Sequence, residues 1–195
     1  TEPISIPATS LIPLALFPLF GILSPDEVAL AYGNKLVLLM LGGFMLSAAM
    51  EKSGVHERIA LGMVHLFGSG SGRRLVFGFM TASAVLSMWI SNAATTLMLL
   101  PMAMAVVSQT TNRKLQVALL LGIAYGASVG GVATPIGTPP NLVFMGIYKE
   151  ATGTDIEFFD WMKMAAPVVF IMLPIVGFWL TRGIRSIEPI TLPSV

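Results

Sequence analysis

Two short polar stretches interrupt sequence that is otherwise free of charge, and their residue types suit the binding of small ions. The first is Ser87-Met88-Trp89-Ile90-Ser91-Asn92-Ala93-Ala94-Thr95-Thr96, the second Thr134-Pro135-Ile136-Gly137-Thr138-Pro139-Pro140-Asn141. Three prolines and a glycine within eight residues cannot remain α-helical, so the second stretch predicts a helix, an unwound segment and a short second helix. The first splits at Ser91-Asn92 into two arms, the earlier one ending near Ile90. A helix that ends leaves carbonyls that attract a cation; a helix that starts leaves N–H groups that attract an anion. Ser87 and Ser91, four apart, would share a helix face and bring two hydroxyl oxygens to one end. Together with Asn92 and the carbonyls from Gly137 backwards they form an oxygen-only set suited to a hard cation such as sodium. Thr138 reads as a helix N-cap and Pro139 as a first helical residue. Neither run contains Asp or Glu, which favours sodium over a proton relay.

Single residues here also have plain packing roles. Serine and threonine in membrane helices bond their own i−4 carbonyl or hold helices together, and Thr95 and Thr96 could simply cap the second arm. Gly122, Gly126 and Gly130 recur every fourth residue and build a flat face for close helix packing. Pro101 reads as a mild kink. His56 and His65 are nine apart, near opposite sides of a helix, and make a poor metal pair. The pairing of two breaks is more specific than any one of these. Backbone that leaves a helix at membrane depth is tolerated only where protein buries it or where it lines a wet cavity.

The elements that carry the breaks follow from composition. Of 195 residues, 55% are hydrophobic and 11% charged, and the mean hydropathy is +0.82. Soluble domains carry roughly 25% charged residues, so an all-α polytopic membrane protein is expected. Intrinsic disorder is excluded by this hydrophobicity, and a disulfide scaffold by the absence of cysteine. A net charge of +1, with no basic run longer than Arg73-Arg74, leaves no footprint for nucleic acid. Thr1-Glu2-Pro3 is not a basic signal-peptide opening; with the trailing end at 190–195 it suggests a piece of a longer polypeptide.

Residues 4–23 form a charge-free stretch long enough to cross a bilayer, kinked by Pro7, Pro13 and Pro18. Ser24-Pro25-Asp26-Glu27 reads as an N-cap, a first-turn proline and two first-turn acids. Residues 36–50 are apolar but short for a span. Over 51–67, Val55, Ile59, Met63, Val64 and Phe67 recur at helical spacing against charged residues, which predicts an interfacial helix. Gly68-Ser69-Gly70-Ser71-Gly72 is a flexible break. Residues 75–112 hold no charge in 38 positions, and 115–148 none in 34. Arms of 16 residues reach only about 24 Å, so 75–108 is expected to be a re-entrant hairpin with its tip inside the membrane. The segment 115–148 is the broken helix, and 161–181 a plain span with Trp161 and Trp179 as interfacial anchors.

With this topology Lys52, Arg58, Arg73, Arg74, Arg113, Lys114, Arg182 and Arg185 fall on one side, against Lys35, Lys149 and Lys163 on the other. The basic-rich side is then cytoplasmic, in a multi-pass protein of the inner (plasma) membrane. Two full crossings over 75–108 would give the same tally, so the depth of the tip rests on length alone.

The stretch 87–96, with Gly-Gly-Val-Ala-Thr-Pro-Ile-Gly-Thr-Pro-Pro-Asn at 130–141, resembles the divalent anion:sodium symporter family, the sodium-coupled dicarboxylate, citrate and sulfate transporters. The resemblance runs over essentially the whole chain. It implies a homodimeric elevator transporter built from two inverted repeats, of which this chain holds the first. Residues 1–67 would be scaffold with the interfacial arm, 68–181 half of the transport domain, and 182–195 a cytoplasmic tail or linker. It implies a first sodium site of Ser87, Ser91, Asn92 and the Gly137 carbonyl. The anion would lie against Ser91, Asn92 and Ala93, with Thr138 and Pro139 at the start of the helix after the break. Ala93 stands where the family has threonine, which removes one hydroxyl donor. The expected activity is symport of sodium with a small divalent anion, a C4-dicarboxylate such as succinate, with no cofactor beyond the coupling ion. The second repeat and second sodium site are absent, so the chain alone is expected not to transport.

Two other classes use similar parts. A channel or pore-forming subunit could carry the same re-entrant loops, and saturable, sodium-dependent counterflow separates a carrier from it. An intramembrane hydrolase could use Ser87 or Ser91 as nucleophile, but no His, Lys or acid lies in the apolar runs to activate it, so no enzymatic activity is expected.

Overall fold

The computed structural model describes residues 4–68 and 71–184, leaving the side chains of His65, Phe67 and Gly68 undescribed. The described residues are helical, with nine helices and no strand. They are α1 Ile6–Leu19, α2 Pro25–Tyr32, α3 Lys35–Ser53, α4 Val55–Gly68, α5 Gly72–Ser87, α6 Asn92–Val107, α7 Arg113–Gly130, α8 Pro139–Thr152 and α9 Phe158–Leu180. The His65 half of the histidine pair, the start at 1–3, the centre of the glycine-serine break at 69–70 and the tail at 185–195, with Arg185, lie outside what is described. By contacts the chain divides into two compact units, Thr1–Gly42 and Gly43–Val195.

The first unit holds α1, α2 and the start of α3. Stretch 4–23 is helical over only 14 residues, because Gly21 takes a left-handed φ of 63° just past the helix end. At about 21 Å, α1 is shorter than the expected crossing. The cap at 24–27 forms as a full capping box. The Ser24 backbone N–H and hydroxyl donate to the Glu27 carboxylate at 2.8 and 2.7 Å and hold that carboxyl below its ordinary range. The Tyr32 hydroxyl donates to the Ser10 carbonyl and ties α2 to α1.

α5 is the axis of the second unit. Eleven of its 16 residues are buried, and it packs chiefly against α7 and α4, with α6 and α9 laid against α7. The core joins Ala60 and Val64 of α4, Val76 and Phe79 of α5, Leu99 of α6, and Leu119 and Ile123 of α7. The α7 glycines permit the close crossing. A Cβ on Gly126 would stand 2.5 Å from the Met80 carbonyl oxygen, and one on Gly130 would overlap the Ala84 backbone. The buried Ser83 hydroxyl donates across the same contact to the Ile123 carbonyl at 2.7 Å.

Two helices among the described residues are long and apolar enough to cross a membrane, α3 with 19 residues and α9 with 23. Residues 36–50, short by themselves, reach span length because the helix extends to Lys35 and Ser53. The outer face of α9 leaves Phe170, Ile171, Phe178 and Trp179 exposed, a surface that suits lipid rather than water. α4 is turned by about one residue from the expected face. His56, Ala60 and Val64 are buried, while Val55 and Ile59 are exposed. Small Ala60 lets α4 approach α5, and His56 Nδ1 meets the Met50 carbonyl at 2.8 Å. Glu51 and Lys52 belong to α3, which Gly54 separates from α4 with a φ of 66°.

Candidate functional site

Both breaks fall where proline, glycine and capping chemistry place them. α5 stops at Ser87, three residues before the expected end near Ile90, since the Trp89 and Ile90 N–H groups both turn back to the Leu86 carbonyl. Ser91 is extended at ψ 147° and caps α6, its hydroxyl accepting from the Ala94 N–H at 3.2 Å. Ser87 and Ser91 therefore do not share a helix face: one ends α5, the other precedes α6. The second break runs over 131–138. Pro139 opens α8, while Thr138 takes the N-cap position without a side-chain cap bond.

The breaks meet. The Ser87 hydroxyl donates to Asn92 Oδ1 at 2.5 Å, closing the tip between α5 and α6. A Cβ on Gly131 would stand 2.6 Å from Asn92 Oδ1, and one on Gly137 would stand 2.9 Å from the Ser87 carbonyl oxygen. Only glycine lets both backbones approach the tip this closely. Thr134 Oγ1 donates to the Met88 carbonyl at 2.5 Å and accepts from the Gly137 N–H at 3.1 Å. The buried Asn141 amide donates to the Gly131 and Thr134 carbonyls at 2.9 and 2.8 Å. From α9 the Trp161 indole N–H donates to the Val132 carbonyl at 2.9 Å. Trp161 is 9% exposed; instead of only anchoring an interface, it braces the unwound segment.

Free polar groups remain on both sides of the tip. Among the described residues the Ser87 and Gly137 carbonyls accept no hydrogen bond, and the Asn92 and Ala93 N–H groups donate none. Thr96 Oγ1 donates to the Asn92 carbonyl at 2.7 Å, as a helix-internal threonine does, whereas Thr95 Oγ1 is buried without a partner among the described residues. α8 offers little to an anion through its backbone. Pro139 and Pro140 carry no N–H, and the Asn141 N–H is spent on the Thr138 carbonyl. The N-terminus that faces outwards with donors is that of α6.

A cavity of about 210 Å³ lies against this junction. Its walls are Trp89, Ser91 and Asn92 from the tip, and Ile136, Gly137, Thr138 and Pro139 from the second break. Gly43, Phe44 and Ser47 of α3 close the remaining side. Of the expected site residues, Ser91, Asn92, Gly137, Thr138 and Pro139 line it. Ser87 is fully buried behind it, and Ala93 is exposed and not part of the wall. Among the described residues no Asp, Glu, Lys, Arg or His lines it, and no cluster of three His, Asp or Glu could hold a metal ion.

Sequence reading missed Thr134, Asn141 and the α3 wall. Asn141 had a signal, an amide directly after Pro139-Pro140 in an apolar run. Ser47 had none, because its sequence neighbours give no hint that α3 returns to the tip.

Comparison with known proteins agrees with the motif resemblance. The chain is 38% identical over 205 residues to the sodium-dependent dicarboxylate transporter SdcS of Staphylococcus saprophyticus, covering all of this chain and 39% of that protein. It is also 38% identical over 191 residues to SdcS of Staphylococcus aureus strain USA300, covering 92% of this chain and 36% of that one. The chain thus spans under two fifths of the length of these curated relatives. Family and relatives are described as transporters, not enzymes, which makes this a membrane protein. The family model described as citrate transporter matches residues 1–191, and the chain belongs to that family.

Proposed function

We propose that the junction of the two breaks is half of the binding site of a sodium-coupled symporter for a small divalent anion, a C4-dicarboxylate such as succinate. The observation that carries this reading is the meeting of Ser87, Asn92, Gly131 and Gly137 beside a cavity free of ionisable side chains. The relatives, named as sodium-dependent dicarboxylate transporters, support the choice of cation and anion.

Sodium takes the oxygen side: Ser87, Ser91, Asn92 Oδ1 and the Gly137 carbonyl. The Ser87 hydroxyl hydrogen, which lies on Asn92 Oδ1, turns away so that both oxygens face the ion. The anion takes the donor side: the first N–H groups of α6, the Asn92 amide, and the Ser91 and Thr138 hydroxyls. Pro139 shapes the wall without donating, and Ala93 contributes its N–H alone. A cation beside the tip offsets part of the cost of bringing a dianion to membrane depth, and it orders the loop whose N–H groups receive the carboxylate.

In this proposal residues 75–108 form a re-entrant hairpin in an elevator transporter. Residues 1–67 serve as scaffold and 68–181 as half of the sliding domain, in a homodimer of the inner membrane. The length left uncovered in the relatives leaves room for a second repeat to complete the site. The test is uptake of radiolabelled succinate, citrate and sulfate into liposomes by a complete transporter carrying these residues. Succinate should accumulate under an inward sodium gradient and not when choline replaces sodium; equal uptake in both conditions would refute the coupling.

A further inference from the structure

Resting on that reading, we propose that Ser47 of α3 is a further anion-binding residue, donating its hydroxyl to the bound dicarboxylate from the wall opposite the tip. Ser47 is 9% exposed, yet its hydroxyl has no hydrogen-bond partner among the described residues. It is not among the fully enclosed orphan atoms, of which Thr95 Oγ1 is the one found. A nearly buried serine whose oxygen is neither bonded nor sealed presents that oxygen to the space beside it, and the space beside Ser47 is the cavity at the tip.

The rest of the wall decides the class of ligand. Asn92 has its carbonyl oxygen engaged by Ser87, which leaves its amide N–H groups free to donate. The Ser91 oxygen accepts from Ala94, which leaves its hydroxyl hydrogen free. The Trp89 indole N–H has no partner among the described residues. The Ser47 hydroxyl adds a donor from the α3 wall of the same cavity, and an anion with two carboxylates needs more donors than the tip alone supplies. It also supplies a hydroxyl in a site where Ala93 has none to give.

The approach of α3 is built for this contact. A Cβ on Gly43 would stand 3.0 Å from the Ile136 Cβ, so Ile136 rests on bare backbone one helical turn before Ser47. A larger residue at 43 would hold α3 away from the cavity. Serine at 47 and glycine at 43 thus act as a pair, the one touching the ligand and the other setting the distance.

The test compares Ser47→Ala, Ser47→Thr and Asn92→Ala in a complete transporter in liposomes. It reads the succinate KM, and the thermal shift of the purified protein with sodium alone and with sodium plus succinate. Ser47→Ala should raise the succinate KM by roughly tenfold, the loss of one hydrogen bond to a charged group. It should shrink the succinate-induced shift while leaving the sodium-induced shift in place, and Ser47→Thr should restore the KM. An unchanged KM in Ser47→Ala beside an inactive Asn92→Ala would overturn the Ser47 assignment alone. Loss of the sodium-induced shift in Ser47→Ala, or no rescue by threonine, would also overturn it by marking a structural role. Full activity of Asn92→Ala would remove the underlying site and Ser47 with it.

Discussion

Ser87 and Asn92 close the tip between α5 and α6 through one hydrogen bond, hydroxyl to side-chain carbonyl at 2.5 Å. The bond joins the carbonyl-bearing end of one helix to the N–H-bearing start of the next, so a single pair of side chains touches both the proposed cation side and the proposed anion side. On the proposed reading, Ser87→Ala removes a cation ligand and leaves the α6 N-terminus intact. It is expected to raise the sodium concentration for half-maximal uptake by about tenfold, with a smaller change in succinate affinity at saturating sodium. Sodium titrations of initial uptake rate check this, and an unaltered sodium dependence would exclude Ser87 from the ion site.

The unwound segment depends on Asn141. Its amide satisfies two buried carbonyls, those of Gly131 and Thr134, and a buried acceptor left unpaired costs about 1–3 kcal/mol. Asn141→Ala should lower the melting temperature of the purified protein and impair uptake, although Asn141 does not line the cavity. Normal melting and normal uptake together would show that the segment holds its shape without the amide.

The α7 glycines set the distance to α5. Gly130→Ala drives a methyl group into the Ala84 backbone, and overpacking of this kind costs typically 1–3 kcal/mol, more when backbone must shift. Gly62→Ala on α4, where an added Cβ meets nothing within 4 Å, serves as the comparison and should melt no lower than the parent. Equal melting of the two variants would mean that α5 and α7 do not cross closely.

How much of this was legible beforehand differs by level. The breaks were readable because Pro135, Gly137, Pro139 and Pro140 forbid a continuous helix and the charge-free run over 75–112 fits no whole number of crossings. Their meeting was expected too, since two breaks at membrane depth must share a protected site, but the bonds that make it, such as Thr134 to Met88 and Trp161 to Val132, were not, because no local pattern encodes them. The face of α4 was misjudged by one residue, a rotation that hydropathy spacing cannot resolve when Ala60 and His56 are the buried pair. Ser47 stayed invisible because a serine in an apolar helix looks like helix packing until the cavity beside it is seen.

Glu27 gives a pH effect outside the candidate spans. Its carboxyl is held below the ordinary range by the Ser24 backbone N–H, then by the Ser24 hydroxyl. A carboxyl depressed in the folded state contributes stability above its unfolded pKa, and that contribution is lost as pH falls through the folded value. Acidification should therefore fray the start of α2. Ser24→Ala should move the Glu27 titration, followed by NMR, upwards towards an ordinary glutamate; no movement would mean that the capping box does not persist in solution.

The proposed ion-and-anion junction is best probed by equilibrium binding of succinate to a complete transporter, with sodium and with choline in its place, in the parent and in Asn92→Ala. Linkage requires sodium to tighten succinate by the same factor as succinate tightens sodium. A factor of roughly ten is expected in the parent, and none in Asn92→Ala. Succinate affinity indifferent to sodium in the parent, or full coupling retained without the Asn92 side chain, would place the binding site elsewhere in the molecule.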